Sequence, residues 1–295
     1  MNILIPYRLD GITLSRLVDP ILTTPQAKLP DKIYFDFSSL GFIKPTGVAF
    51  LGNLVQWLNR RGVGVMFSNA IKETPPLRYL DDSEFFKRFV GQNIFGNSRI
   101  RPTTIPFQPV CHSESHAWVR LTLIPWLSNA IGITESSLHG LQVSIQELFN
   151  NIKDHTQHDI GSIFVQHYPN NKQVTIAISD FGIGIPANVR KINPNLGDND
   201  SIIQAIEEGF TTQGVPTNRG IGLHYLISTV VCGLRGTVTI YSSSGIVRFY
   251  PVSQGTNVGT FAYTGVGFCP GTTISIELNT GAIPVLPDET EELTW

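Results

Sequence analysis

Four short clusters hold the residues best suited to chemistry, and they occur in order along the second half of the chain. In Glu147-Leu-Phe-Asn-Asn151-Ile-Lys-Asp154-His155, the spacing puts Glu147, Asn151 and His155 one turn apart on a single helical stripe. A carboxylate, an amide and an imidazole on one polar face can hold a hydrated cation and position a water. Asp180-Phe-Gly182-Ile-Gly184-Ile185 follows an alternating stretch. A carboxylate at a strand end, beside two glycines that open the backbone, can accept a hydrogen bond from an exocyclic amine such as that of adenine. Asn218-Arg219-Gly220-Ile-Gly222-Leu223 opens a helix, where free backbone N–H groups and glycines suit a phosphate. Gly271-Thr272-Thr273 leads into the last strand. Taken singly these are a solvated helix face, a strand-ending turn and an unspecific glycine pair; their order is what informs.

The elements that carry them are legible as periodicities. Leu138, Leu141, Ile145, Leu148 and Ile152 recur at spacings of 3, 4, 3 and 4, which predicts a helix capped by Thr134 with the polar stripe off its apolar face. Strands are expected over Ser162 to Tyr168 and Gln173 to Ser179, joined by Pro169-Asn170-Asn171. Ser201 to Glu208 and Gly222 to Leu234 read as helices. Thr237 to Tyr241, Gly245 to Tyr250 and Thr272 to Leu278 read as strands, with Ser242, Ser243 and Ser244 as a hairpin loop. Ser113 to Ile131 reads as a helix kinked at Pro125, with Trp118 and Trp126 as core residues.

The N-terminal part differs. Lys32 to Ser38 alternates as a strand, and Pro45 starts a helix to Arg61 with Val48, Leu51, Leu54, Val55 and Leu58 on one face. Gly62 stops it before a strand over Val63 to Phe67, giving an α/β unit. Leu77 to Val90 is expected to be helical, anchored by Leu80, Phe85, Phe86 and Phe89. Asn93 to Gln108, with Pro102 and Pro106, is expected to be a linker. His112 and His116, one turn apart, lack a third ligand and read as a solvated helix start.

The chain has 295 residues, 41% hydrophobic and only 15% charged, which excludes global disorder. Its formal charge of −2 gives no whole-chain footprint for nucleic acid. Three cysteines, Cys111, Cys232 and Cys269, lie far apart without metal-ligand spacing. With no secretory signal and no long apolar run, a soluble cytoplasmic protein without membrane contact is the expectation.

The order Glu147 to His155, Asp180 to Ile185, Asn218 to Leu223, then Gly271-Thr272, resembles the GHKL family of ATP-binding domains, shared by gyrase, heat-shock chaperone ATPases, sensor histidine kinases and MutL. Gly209-Phe210-Thr211-Thr212 resembles that family's motif in the lid, and the resemblance implies that Asn193 to Thr217 form that lid. The resemblance covers about Ser113 to Asn279 and implies an α/β sandwich, helices layered on a mixed sheet. It implies that Asn151 binds Mg2+, that Glu147 orients or deprotonates a water or a protein hydroxyl, and that Asp180 reads the adenine amine with help from Thr272. It further implies that Gly182, Gly184 and Ile185 pack on the base, that Gly220, Gly222 and Leu223 wrap the phosphates of ATP, and that Arg219 and His155 contact them.

Tyr34 to Gly47, the following helix and Gly62 to Phe67 resemble a STAS domain. The serine-bearing turn of that family is replaced here by Lys44-Pro45-Thr46-Gly47, where only Thr46 offers a hydroxyl. The expected organisation is a STAS-like module over 1–72, a helix and linker over 73–110, an ATP-binding domain over 111–280 and an acidic tail over 281–295. The resulting expectation is an ATP/Mg-dependent kinase or ATPase switch acting on a protein partner in anti-sigma-factor fashion. The alternatives are a non-catalytic, nucleotide-gated interaction module and, behind it, a histidine-kinase-like protein.

Overall fold

A computed structural model describes residues 1–22, 29–155, 160–210, 222–252 and 257–286; Asp154, His155 and Ile160 are described by backbone alone. The acidic tail from Pro287 onward lies outside the described residues. In chain order the first unit holds β1 (Asn2–Leu4), β2 (Arg8–Leu9), α1 (Ser15–Leu22), β3 (Lys32–Asp36), β4 (Phe42–Ile43), α2 (Pro45–Arg60), β5 (Gly64–Ser68), α3 (Pro75–Asp82) and α4 (Phe85–Val90). There follow β6 (Thr104–Cys111), α5 (His112–Trp118), α6 (Ile124–Ile131), α7 (His139–His155), β7 (Ile160–Tyr168) and β8 (Gln173–Asp180). The last elements are α8 (Ile185–Val189), α9 (Asp198–Ala205), α10 (Gly222–Ile227), β9 (Thr237–Pro251) and β10 (Val258–Asn279).

Strands β1, β3 and β5 form a parallel sheet in that order, and β2 pairs with β4. The larger sheet runs β6-β7-β8-β10-β9, every neighbour antiparallel. Strict alternation splits its two faces. In β8, Val174, Ile176 and Ile178 join a core with Leu141, Ile145 and Leu148 of α7, Leu226 of α10 and the buried side of α6. Ala177 of the same strand joins a second core with Phe164, Phe107 and the residues of α2. The molecule is therefore layered: small parallel sheet, α2, five-stranded sheet, outer helices.

This layering explains α2. Proline at its first turn suits the missing N–H, and Gly62 beyond its end takes φ +76°, with N–H donating to Asn59 O (3.0 Å). The expected apolar face is fully buried, but so are Ala49, Phe50 and Gly52. A helix buried nearly all round lies between two layers rather than on a surface.

Three sequence expectations are corrected. The segment read as a linker enters β6, the edge strand of the large sheet, where Pro106 and Pro109 are tolerated because an edge needs no ladder donor on its open side. The helix expected over Leu77 to Val90 breaks into α3 and α4 at Glu84, whose φ is +57°. The three serines are no hairpin loop: β9 runs through them, with a bulge where Ser243 takes φ +54°. The kink at Pro125 appears as a π-helical turn over Val119–Leu123 joining α5 to α6. Such a turn absorbs the hydrogen bond a proline cannot make. Among the described residues no helix is long and apolar enough to cross a membrane.

Candidate functional site

Helix α7 forms where the 3,4 spacing requires it, and the periodic residues, Leu138 just before it and Leu141, Ile145, Leu148 and Ile152 within it, are all buried. Thr134 accepts from the Ser137 N–H (3.3 Å) at the turn that leads into it. Glu147 and Asn151 stand half-buried beside the apolar stripe, not within it. The backbone of His155 ends the helix, and its side chain lies outside the described residues.

Gly222, first residue of α10, meets those two side chains. A Cβ built on it would stand 3.2 Å from Asn151 Nδ2 and 3.5 Å from Glu147 Cβ. A side chain at 222 would thus fill the space over the carboxylate and the amide. Leu223 packs against the core behind, and His224 Nδ1 lies 3.1 Å from Ile206 O, tying α10 to the end of α9. Asn218, Arg219 and Gly220 lie outside the described residues. So does the latter part of the expected lid, together with Thr211 and Thr212 of its motif.

The described start of that lid is firmly held. Asp198 pairs with Arg190 and accepts from Ser244 N–H (2.9 Å) and Ser244 Oγ (2.5 Å), which fastens α9 to β9. Asn193 Nδ2 donates to Gln204 Oε1 (2.7 Å).

Asp180 ends β8 on the same face as Ile176 and Ile178, directly opposite Thr272 of β10. Burial pushes its carboxyl up to about 6, although the Gly182 N–H (2.7 Å) and the Thr272 N–H both donate to it and act in the other direction. Desolvation of a charge outweighs two backbone donors here. Gly182 starts the turn, and Gly184 follows at φ +81°. A Cβ on Gly184 would lie 3.0 Å from Gly271 O. One on Gly271 (φ +65°) would fall 2.1 Å from Asp180 O. Only glycine lets the two strand ends close on each other at these points.

Sequence reasoning missed the residue that fastens them. Ser242 is fully buried, donates its hydroxyl to Gly271 O (2.6 Å) and accepts from the Ile185 N–H (3.1 Å). It clips the turn after Asp180 to the Gly271 backbone. Nothing in a run of three serines signals this, because its partners lie 29 and 57 residues away. The histidine pair also has a partner on α7, although His116 is exposed, as expected of a solvated helix start. His112 and His116 direct Nε2 at Asn150 Oδ1 (2.9 and 3.3 Å), so they brace α7 beside Asn151. Among the described residues no three His, Cys, Asp or Glu gather as a metal site.

Thr46, the one hydroxyl of Lys44-Pro45-Thr46-Gly47, is buried and donates to Ser275 Oγ (3.3 Å) on the large sheet.

Residues 137–280 match the family described as Histidine kinase-, DNA gyrase B-, and HSP90-like ATPase. That segment contains α7, β7 to β10 and Gly182, Gly184, Gly222 and Gly271, and it supports an ATPase-type α/β domain there. Comparison with curated proteins gives no match. Among solved structures, the chain is similar to the crystal structure of the B-subunit of the DNA gyrase from Myxococcus xanthus, at 14% identity and a TM-score of 0.30. The likeness covers 58% of this chain and 45% of that one, so this chain spans less than half of that subunit's length.

Proposed function

We propose that residues 111–280 bind ATP with magnesium and that the protein is a nucleotide-dependent regulatory switch, a kinase or ATPase acting on a protein partner. The observation that carries this reading is the meeting of Gly222 with Glu147 and Asn151, over 70 residues away in sequence, within a segment matched to an ATPase family. The donor set fits the group. Glu147 and Asn151 offer the oxygen ligands a hard cation prefers, and Gly222 leaves the space above them free of side chain. When bound, ATP supplies the transferable phosphoryl group. Asn151 would hold the metal. Glu147 would orient or deprotonate the attacking water or hydroxyl. Asp180, with Thr272 beside it, would accept from the adenine amine, and Gly182, Gly184 and Ile185 would leave room for the base. Gly220, Gly222 and Leu223, with Arg219 and His155, would meet the phosphates.

The STAS-like reading of 1–72 belongs to the same proposal. It is supported by parallel strands around α2, with Lys44-Pro45-Thr46-Gly47 opening that helix. The burial of Thr46 argues against a phosphoswitch at that position while the two units are joined. That burial favours the second reading, in which nucleotide alters partner binding without transfer to this module. A cytoplasmic setting is part of the proposal and is supported by the free thiols of Cys111 and Cys269.

The deciding experiment is incubation of the full chain with labelled ATP, magnesium and candidate partner proteins. Label on protein indicates a kinase and free phosphate an ATPase. Glu147→Ala is expected to abolish either signal while ATP still binds. If Glu147→Ala retains all activity, the catalytic reading falls. If wild type binds no ATP, with Asp180→Ala as control, the whole reading falls.

A further inference from the structure

The residues on either side of Asp180 point away from the nucleotide face, into the N-terminal unit. Alternation along β8 sends Ser179 and Phe181 to the side that α2 occupies. The Phe181 ring lies 5.2 Å from that of Phe50 and 5.8 Å from that of Trp57, both on α2. Trp57 is in turn covered by the Arg61 guanidinium at 4.0 Å. Ser179 is fully buried, accepts from Asn53 Nδ2 (3.4 Å) and shares a hydrogen bond with Thr273 Oγ1 (2.9 Å). Asn53 Oδ1 accepts from Ser162 Oγ (3.0 Å), and Gln56 Nε2 donates to the same hydroxyl (2.9 Å). Thr273 follows Thr272, the partner of Asp180 across the strands. A polar row over three strands, Ser162-Ser179-Thr273, thus ends on one asparagine of α2, while an aromatic pair grips Phe181, the residue just past the end of β8.

We propose that α2 is a positioning element of the nucleotide-base site: Phe50 and Trp57 through Phe181, and Asn53 through Ser179 and Thr273, fix the strand ends that carry Asp180 and Thr272. The inference rests on the reading of Asp180 as the adenine-recognising group and adds that its aim is set from the N-terminal unit. Side chains in a packed interior have discrete arrangements, so loosening the grip on Phe181 shifts the carboxylate rather than blurring it. The base contact is then weakened while the phosphate contacts, made from α7 and α10, are kept.

The test is calorimetric titration of the full chain with ADP and, separately, GDP, in Trp57→Leu, Asn53→Ala and Phe181→Leu. The ratio of the two Kd values reads the base contact. The expected result is an about tenfold smaller preference for ADP, with GDP binding unchanged, a coupling of ordinary size for contacting residues. A purely structural role lowers the folded fraction equally for both nucleotides and leaves the ratio alone. Phe86→Leu, in the same core with ring contacts to Phe37, Phe67 and Phe85, is the control that keeps the preference. Trp57→Phe, which keeps a ring against Phe181, restores it. If Phe181→Leu does not fold, half-buried Trp57 carries the measurement. An unchanged ratio in the folded variants, or an equal loss in Phe86→Leu, overturns the inference while ADP binding by wild type stands. Wild type that binds neither nucleotide overturns the underlying reading as well.

Discussion

Asp180→Asn should make the protein more stable at pH 8 and less stable at pH 4. In the folded chain burial lifts this carboxyl from 3.8 to about 6. At 1.36 kcal/mol per pH unit, holding the ionised form in place costs about 3 kcal/mol. Because the native state binds this proton more tightly than the unfolded chain, stability falls as pH rises between about 4 and 6, and the full cost is present above that window. Asparagine removes the charge but offers the Gly182 and Thr272 N–H groups one neutral acceptor oxygen in place of a carboxylate, an offsetting loss of about 1–2 kcal/mol. The net gain at pH 8 is about 1–2 kcal/mol, worth a few degrees in Tm for a chain of this size. At pH 4 wild type carries almost none of the ionisation cost, and the variant keeps only that offsetting loss. Thermal unfolding of both proteins at pH 4, 5, 6 and 8 reads the difference directly, and effects of other titrating groups cancel in the subtraction. A difference that stays flat across that range would refute the claim that Asp180 is held ionised at a cost. The same variant should show no Tm increase on adding ADP, so that stability is gained where binding is lost.

Gly271→Ala should be among the most disruptive single changes, costing about 3 kcal/mol or more, since its Cβ would overlap Asp180 O at a positive φ; chemical denaturation would show it as a lowered midpoint. Ser242→Ala strands Gly271 O and the Ile185 N–H together, at about 1–3 kcal/mol, and should weaken ADP binding in titration; unchanged stability would mean that the clip is dispensable. Thr46→Val should cost no more than about 1 kcal/mol, whereas Thr46→Glu should unfold the chain or part its two units, because a carboxylate there is buried against Ser275. Mass spectrometry of the folded protein after kinase treatment should find no phosphate on Thr46.

Much of the fold was legible because its signals are local. The apolar positions of α7 repeat every three and four residues and are all interior, and the alternation in β8 sorts Ile176 and Ile178 from Ala177 and Ser179 onto opposite faces. The residues of the proposed site could be singled out for the same reason: Glu147, Asn151, Asp180 and Gly222 sit in short spaced patterns on which the backbone acts directly. What could not be read depends on partners remote in sequence. Pro102 and Pro106 suggested a linker, and only an edge position in a sheet makes Pro106 and Pro109 compatible with a strand. Ser242 became a clip only when β10 arrived beside it. The burial of α2 on both sides, and with it the fate of Thr46 and Phe181, follows from one unit lying against the other, and no periodicity within either records that.

Residues from the far end of the large sheet close the N-terminal core. Cys269 is part of it, and Thr273 and Ser275 supply its polar contacts through Ser179 and Thr46. On a ribosome adding about 5–20 residues per second, α2 is therefore made some 200 residues before β10 can cover it, roughly 10–40 seconds earlier. During that interval Phe50, Leu51, Leu54 and Val55 have only part of their eventual surroundings. Nascent chains of this protein should accordingly depend on holding chaperones for most of synthesis, and should become protease-resistant in one late step as β10 emerges.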